Sequence, residues 1–524
     1  MKSEPAAPGP GPHDIPDPDR SPTGSAPGPG RTTPKEPLTD TQRRILVVVL
    51  VPLFMALLSI SIVNVVLPTL QTSLDASTTA LQWVLSGYTL AFGIVLVAAG
   101  RAGDLFGPGR VFVVGLVLFG LGALLSGLAP NAGVLNVARV VMGIGSGFIN
   151  PTSVGLIQQY FRGQARAKAF GMFGAVVGVS VAVGPVLGGV FVAWFGADLG
   201  WRAAFLVNVP IALAALVTAF VWFPRSAWFP YVEDGTAGVG TPEQGASAAG
   251  KGDEKADFDP VGTVLLALAT LAVMFPFLER SLGAWVFGFL PVGLGLLLVW
   301  VAWEKRYRSR GRTPMVDMDL FAVRSYSNGA LLVGIYFMGA TSIWAVLAMY
   351  MQNGHGYSAL AAGMIGLPSA AVSSVSALVA GRHVMRLGRP LVIAGIVTAL
   401  AGMLGSILVI VLFERGVASL WWLLLSLAFI GAAQGMVISP NQTLTLARVP
   451  IRYAGSAGGV MQTGQRVGTA IGLAILTALF FAVQGSVGWG AGIIAAFAGV
   501  SVLMVCAGIV GVADWRRGVA DEAV

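Results

Sequence analysis

The sequence predicts an all-α polytopic membrane protein of fourteen helical spans, and three observations carry that prediction. Only 11% of the 524 residues are charged while 55% are hydrophobic, and the mean hydropathy is +0.79. A soluble chain carries roughly a quarter charged residues, and so little charge cannot cover a surface that faces water. Apolar runs of about 20 residues, the length that crosses roughly 30 Å of hydrocarbon, recur along the chain. The basic residues, finally, fall almost entirely on one side of those runs.

The runs lie at 45–67, 81–99, 111–129, 134–157, 169–195, 204–223, 259–279, 285–303, 326–351, 360–380, 390–413, 419–446, 456–482 and 488–511. Runs this long are helices, because only helices and closed barrels satisfy their backbone in lipid. With the N-terminus in the cytoplasm, the tails and alternate loops hold 27 of the 32 Lys and Arg residues. Arg202, Arg280 and Arg415 fall outside, and Arg139 and Arg466 lie within spans. One missed helix would invert every later loop, so the one-sided split supports the span count. Of the 13 Trp residues, all but Trp344 stand at or just beyond predicted span ends, as in an interfacial belt.

Residues 1–44 read as a disordered cytoplasmic tail, rich in Pro and Gly over its first 37 residues and without the apolar core of a cleavable signal. A six-helix half over 45–223 follows, then a flexible cytoplasmic linker over 224–258 and two further helices over 259–303. A basic loop over 304–325 leads to a second six-helix half over 326–511 and a cytoplasmic tail over 512–524. That basic loop reads as a solvated positive-inside segment, with contact to anionic lipid as the alternative. The isoelectric point near 9.8 does not indicate nucleic acid, because the basic residues sit in short loops and not on one face. The single Cys506 excludes a disulfide framework and a Cys-based metal site. No cofactor, metal cluster or catalytic triad is expected, and no Gly-x4-Gly-Lys-Ser/Thr loop occurs, so a gradient and not nucleotide hydrolysis by this chain supplies energy.

An internal repeat is visible. Gly100-Arg101-Ala102-Gly103-Asp104-Leu105-Phe106-Gly107 joins spans 2 and 3, and Gly381-Arg382-His383-Val384-Met385-Arg386-Leu387-Gly388 joins spans 10 and 11. Asn150-Pro151 in span 4 is matched by Ser439-Pro440 in span 12. Spans 1–6 and 9–14 therefore read as duplicated halves with spans 7 and 8 inserted, an arrangement that places a substrate site between the halves near the midplane.

At these residues the chain resembles the major facilitator superfamily, and within it the fourteen-span drug:proton antiporter branch (EmrB/QacA-type). Gly100 to Arg110 is similar to its first cytoplasmic loop motif, Arg139-Val140-Val141-Met142-Gly143 to its fourth-span motif, and Gly184-Pro185-Val186-Leu187-Gly188-Gly189 to its fifth-span antiporter motif. Ser59 to Pro68 resembles the first-span signature and Trp201 to Pro210 the start of the sixth span. The resemblance implies a secondary transporter that exports small amphipathic drugs or metabolites in exchange for protons, not an enzyme. A small-molecule substrate, protons and membrane lipid are the expected partners of a monomer. The chain departs from the branch at Ser59, where an Asp is common, and at Leu105, Pro108 and Gly109, where basic residues are common.

The candidate site residues follow. Arg139 either faces a central cavity or forms a local ion pair, since a buried guanidinium must be paired or wetted. Arg466 lies in the stripe Gln462-Thr463-Gln465-Arg466, in which Gln462 shares a helix face with Gln465 and Arg466. That stripe either lines the cavity or bonds neighbouring helices. Gly184, Pro185, Gly188 and Gly189 either pack closely or bend the span to gate it. Asp104, in a loop with Arg101 and Arg110, either latches onto a neighbouring helix N-terminus or is solvated. Ser59 is a further candidate cavity residue, Trp344 either offers a stacking surface or faces lipid, and Asn64, Asn150, Gln434 and Asn441 either line the cavity or bond neighbouring helices. No acidic residue or His falls deep in a span; Asp259 and Glu279 stand at the two ends of span 7. Two arginines without a carboxylate favour neutral or anionic amphipathic substrates over permanent cations.

Overall fold

A computed structural model describes residues 38–231, 258–279 and 282–522. The tail over 1–37 and most of the linker expected over 224–258 lie outside these residues. Thirteen of the helices in the described residues are long and apolar enough to cross a membrane.

The first helix starts inside the region expected as tail, because Thr39 and Gln42 form a capping box. The Thr39 hydroxyl accepts from the Gln42 N–H at 3.2 Å and the Gln42 side chain accepts from the Thr39 N–H at 3.1 Å. The N-terminal half then comprises α1 (Asp40–Ser61), α2 (Val63–Ser73), α3 (Thr78–Phe106), α4 (Pro108–Gly127), α5 (Ala132–Tyr160), α6 (Gly163–Leu206) and α7 (Asn208–Trp222). A hairpin follows, α8 (Pro260–Leu278) and α9 (Phe289–Ser309). The C-terminal half comprises α10 (Arg324–Ala340), α11 (Ser342–Met349), α12 (Ala359–Met364), α13 (Leu367–Leu387), α14 (Arg389–Glu414), α15 (Leu423–Thr445), α16 (Ala454–Val487) and α17 (Trp489–Glu522).

One candidate span, Gly163–Trp222, has 60 residues, about 90 Å at 1.5 Å per residue, which is some three bilayer cores. The backbone breaks within it at Gly196 (φ 77°, ψ 179°), where the chain leaves helical angles and turns. Pro185 does not produce that break: Gly196 is where non-helical angles occur inside α6.

The two Gly-Arg stretches expected as loops are helix ends. Residues 100–106 complete α3, Gly107 (φ 96°) makes the turn alone, and Pro108 opens α4. Residues 381–387 complete α13, Gly388 (φ 60°) turns, and α14 starts at Arg389-Pro390. Glycine takes positive φ without steric cost and proline suits the first helical turn, so both connections shrink to one residue. The stretch over 304–325 differs from the solvated loop expected. Its first part is the last turn and a half of α9, with Glu304 fully buried. The rest packs inward through Met315, Val316 and Leu320. Arg308 bridges Asp317 at 2.9 Å and Asp319 at 2.6 Å, and its hydrogen bond holds the Asp319 carboxyl below the ordinary carboxylate range.

Apolar side chains cover the outer surface. Leu298, Val221 and Val137 are 72%, 70% and 66% exposed, which water would oppose and lipid favours. Within the bundle α3, α4 and α5 pack together, as do α13, α14 and α15. The halves meet chiefly at two crossings, α3 on α16 and α6 on α13, flanked by lesser contacts of α5 on α16 and α6 on α15, and α8 lies in the seam against α3 and α16.

Candidate functional site

The α3–α16 crossing is built on glycine. A Cβ at Gly455 would meet the Gly100 carbonyl and stand 2.8 Å from Asp104 Oδ1, so only bare backbone allows the two helices this close. The approach places Asp104, in the last turn of α3, against the first turn of α16. Its carboxylate accepts from the N–H groups of Gly455 and Ser456, both at 2.8 Å, and from the Ser456 hydroxyl. Those N–H groups belong to the turn that has no intrahelical acceptors and carries the positive end of the helix dipole. Arg101 is buried one turn earlier in α3, and Arg110 stacks on Phe229, 4.8 Å from its ring centre.

The α6–α13 crossing is closed without a carboxylate. Gly171 and Gly381 lie backbone to backbone, and the Gln164 side chain donates to the carbonyls of Gly381 at 3.2 Å and Arg382 at 2.9 Å. Met385 occupies the position in the second stretch that Asp104 occupies in the first. The face carrying both crossings, rich in Arg and Lys, is therefore shut. Gly455→Val is expected to force α3 and α16 apart at a cost of about 1–3 kcal/mol, the range for overpacking. A lowered melting temperature in detergent checks it; an unchanged one contradicts this reading of the crossing.

Deeper in the bundle, two arginines bracket an aromatic pair on α3. Arg139 on α5 is 1% exposed, its Nε donates to the Val84 carbonyl at 2.9 Å, and its guanidinium lies over the Tyr88 ring at 4.2 Å. Tyr88 and Phe92, one turn apart, have ring centres 6.2 Å apart. Arg466 on α16 lies over Phe92 at 4.3 Å. The Tyr88 hydroxyl donates to the Ala56 carbonyl at 3.0 Å and pairs with Ser146 at 2.6 Å, tying α1, α3 and α5. Among the described residues neither arginine has an ion-pair partner, so the local ion pair considered for Arg139 does not form. Aromatic faces and a carbonyl satisfy these cations in place of carboxylates.

The structure separates the remaining sequence candidates. Ser59 is buried and its hydroxyl has no hydrogen-bond partner among the described residues. Asn64 is exposed on α2 and returns a bond to Ile60 at 3.3 Å; Asn150 is buried and bonds Ser146 at 3.4 Å. Gln462 is buried, and Gln465 and Gln434 are half-buried. Gly184 and Gly188 pack against Ser61 and Ile62 where α1 gives way to α2, while Gly189 faces open space. Two further candidates are placed by their contacts. Asn441 is fully buried and engaged at both ends, accepting from Arg389 at 2.5 Å and donating to the Gly329 carbonyl at 2.9 Å, so it ties helices together. Arg389 in turn pairs with Asp514. Trp344 packs on the core of the C-terminal half, its ring against Gly366.

The sequence reading did not show that three carboxylates are buried. Asp259, Glu279 and Glu304 are each 0% exposed. A position counted as a span end is not thereby in water, because α8 packs against α3, α9 and α16. Tyr88 and Phe92 were also missed, since aromatics at helical spacing read as core.

The sequence profile of the Major Facilitator Superfamily matches residues 49–473 and, over the C-terminal half, 329–513. The chain is 32% identical over 467 residues to the probable actinorhodin transporter of Streptomyces coelicolor, covering 88% of this chain and 76% of that protein. It is 30% identical over 461 residues to the tetracenomycin C resistance and export protein of Streptomyces glaucescens, covering 87% and 79%. The proton:xylose symporter XylE shares the fold, with a TM-score of 0.61 at 15% identity over 90% of this chain and 94% of that one.

Proposed function

The chain belongs to the Major Facilitator Superfamily, and from that premise we propose that it exports small neutral or anionic amphipathic molecules in exchange for protons. It is a multi-pass membrane transporter and not an enzyme, and its relatives are named as antibiotic transporters, resistance proteins and exporters. The observation that carries the substrate class is the line Arg139–Tyr88–Phe92–Arg466. It offers flat aromatic faces and two positive charges without a carboxylate beside them. An anion or a polar aromatic ring gains there, whereas a permanent cation meets like charge.

The rest of the reading follows. The break at Gly196 divides the 60-residue element into two spans, which makes fourteen and fits the drug:proton antiporter branch with its two inserted helices. An even count puts both termini on one side, and the basic residues make that side the cytoplasm of a plasma-membrane protein acting as a monomer. The conformation, with both crossings on the basic face shut, then faces outward. Asp104 latches the cytoplasmic side, and Gly184 and Gly188 let the fifth span slide against the first.

The test is uptake into inverted membrane vesicles from cells expressing the chain. Anionic carboxyfluorescein and neutral Nile red should accumulate several-fold over vesicles without it when an inside-acid gradient is imposed, while ethidium should not. Strong ethidium accumulation overturns the substrate class. Accumulation of the dyes in intact cells in place of their loss overturns export.

A further inference from the structure

We propose that the groove between α14 and α17 binds one anionic phospholipid of the leaflet on the basic face, its phosphodiester on Arg516 and an acyl chain along the groove. The sequence builds this groove from two apolar stripes. Ile393, Ile396, Val397 and Leu400 recur along one face of α14. Met504, Gly508, Val512 and Arg516, each four residues after the last, run along α17. Gly508 keeps the space open, because a Cβ there would meet only the Ile396 side chain, at 3.5 Å. Ile396 and Met504, each 1% exposed, form the floor, while Val397 and Ile509, 59% and 63% exposed, stand at the rims. The groove holds about 440 Å³, within the ~300–1,000 Å³ of ordinary ligand sites.

Length and charge select the occupant. Met504 and Arg516 stand about 18 Å apart along α17 at 1.5 Å per residue. One leaflet of a ~30 Å hydrocarbon core is about 15 Å thick, so the groove runs from the middle of the bilayer to the headgroups. Its lining is apolar except for Arg516, at the end that lies on the basic face. Trp515 beside it is 44% exposed, as suits a ring at headgroup level. Arg517 is exposed next to it, and the exposed Arg386 lies in the last turn of α13, just before the chain enters α14. Asp514, the carboxylate nearest to Arg516 in sequence, is taken by Arg389 and by the Asn328 amide at 2.9 Å. A guanidinium pairs its N–H donors with phosphate oxygens in a way an ammonium does not.

Other occupants fit less well. A zwitterionic lipid fills the groove but gains less from Arg516, because its headgroup carries a cation as well. A second copy related by a two-fold axis along the membrane normal would bring one Arg516 towards the other. The transported compound is expected at the line Arg139–Tyr88–Phe92–Arg466, none of whose residues lines this groove.

Native mass spectrometry of the full-length protein tests the proposal, with dioleoyl phosphatidylglycerol and dioleoyl phosphatidylcholine offered in equal amounts. The wild type should retain phosphatidylglycerol in preference. Arg516→Ala should lower that preference about fivefold, the effect of one basic residue at an anionic surface, and leave phosphatidylcholine binding unchanged. Gly508→Leu, which fills the groove, should lower retention of both lipids. Arg382→Ala, an exposed residue of the same face outside the groove, should behave as the wild type. Equal retention of the two lipids by the wild type overturns the proposal. So does a preference that survives Arg516→Ala, a change at an exposed side chain that leaves the packing alone. A wild-type dimer that Gly508→Leu turns into a monomer would assign the groove to a second copy, and displacement of phosphatidylglycerol by Nile red would assign it to a transported compound; either result overturns the lipid assignment.

Discussion

Asp104→Ala is expected to open the basic face and raise labelling of the seam beneath it about a hundredfold. The carboxylate holds three hydrogen bonds across the halves, two of them to N–H groups that have no acceptor within their own helix. Bonds to a charged acceptor contribute about 1.5–3 kcal/mol each, and water entering this half-buried site recovers part of that, so a net shift of about 3 kcal/mol is reasonable. That is about a hundredfold in the ratio of shut to open forms. The reporter is Val154→Cys in a Cys506→Ser background. Val154 is 0% exposed and faces Gly458 across the α5–α16 contact just inside the latch. A membrane-impermeant maleimide applied to inverted vesicles should react slowly with the single reporter and about a hundredfold faster once Asp104→Ala is added. Asp104→Asn, which keeps one acceptor oxygen but no charge, should fall between. Equal rates in all three would mean that glycine packing alone holds the crossing. The prediction is confined to one crossing, because Met385 stands where a second latch would be.

Much of this was legible in the sequence for a plain reason: the bilayer limits what a chain can do. Scarcity of charge, run length and the side on which Arg and Lys fall are each set by solvation, and a linear sequence displays them without reference to tertiary contacts. For Asp104 the sequence offered a helix N-terminus or solvent, and its bonds to the Gly455 and Ser456 N–H groups are of the first kind. What failed was any inference that needed to know which helix stands beside which. Glu279 could be placed only at a span end, and its burial against Ser86 of α3 was not legible. Whether Asn441 lined a cavity or bonded helices was open in the sequence, and Arg389 and Gly329, 52 and 112 residues away, claim both ends of it. The turn between the fifth and sixth spans was expected over 196–203, between apolar runs ending at 195 and starting at 204, and the backbone leaves helical angles at Gly196, while Gly184-Pro185 continues the helix. Tyr88 and Phe92 gain meaning only from Arg139 and Arg466, which come from two other helices.

Arg139→Met should leave the protein as stable as the wild type, or more so, while transport of the anionic dye falls at least tenfold. Stability and function are expected to part here because the guanidinium is buried without a carboxylate. Desolvating a cation costs several kcal/mol. The compensation visible is a hydrogen bond from the charged donor to the Val84 carbonyl, about 1.5–3 kcal/mol, a weaker one to Met142 Sδ, and cation–π contacts with Tyr88 and, at longer range, Phe205, about 2 kcal/mol. These sums nearly cancel, so a flexible apolar side chain of similar length gives up little. An arrangement that stabilises nothing overall, yet fixes Arg139 over Tyr88 with a carbonyl behind it, is organised to present charge. Arg139→Lys should not rescue transport, since an ammonium cannot stack flat on Tyr88 while its Nε position donates to Val84. Tyr88→Phe keeps the ring and removes two hydroxyl contacts, so it should lower the melting temperature, at about 1 kcal/mol per lost hydrogen bond, while largely preserving transport. Melting curves in detergent and initial rates of carboxyfluorescein uptake, measured on the same four preparations, check the pattern. Normal transport by Arg139→Met would reduce Arg139 to a packing residue. A sharp loss of stability without a matching loss of rate per folded molecule would do the same.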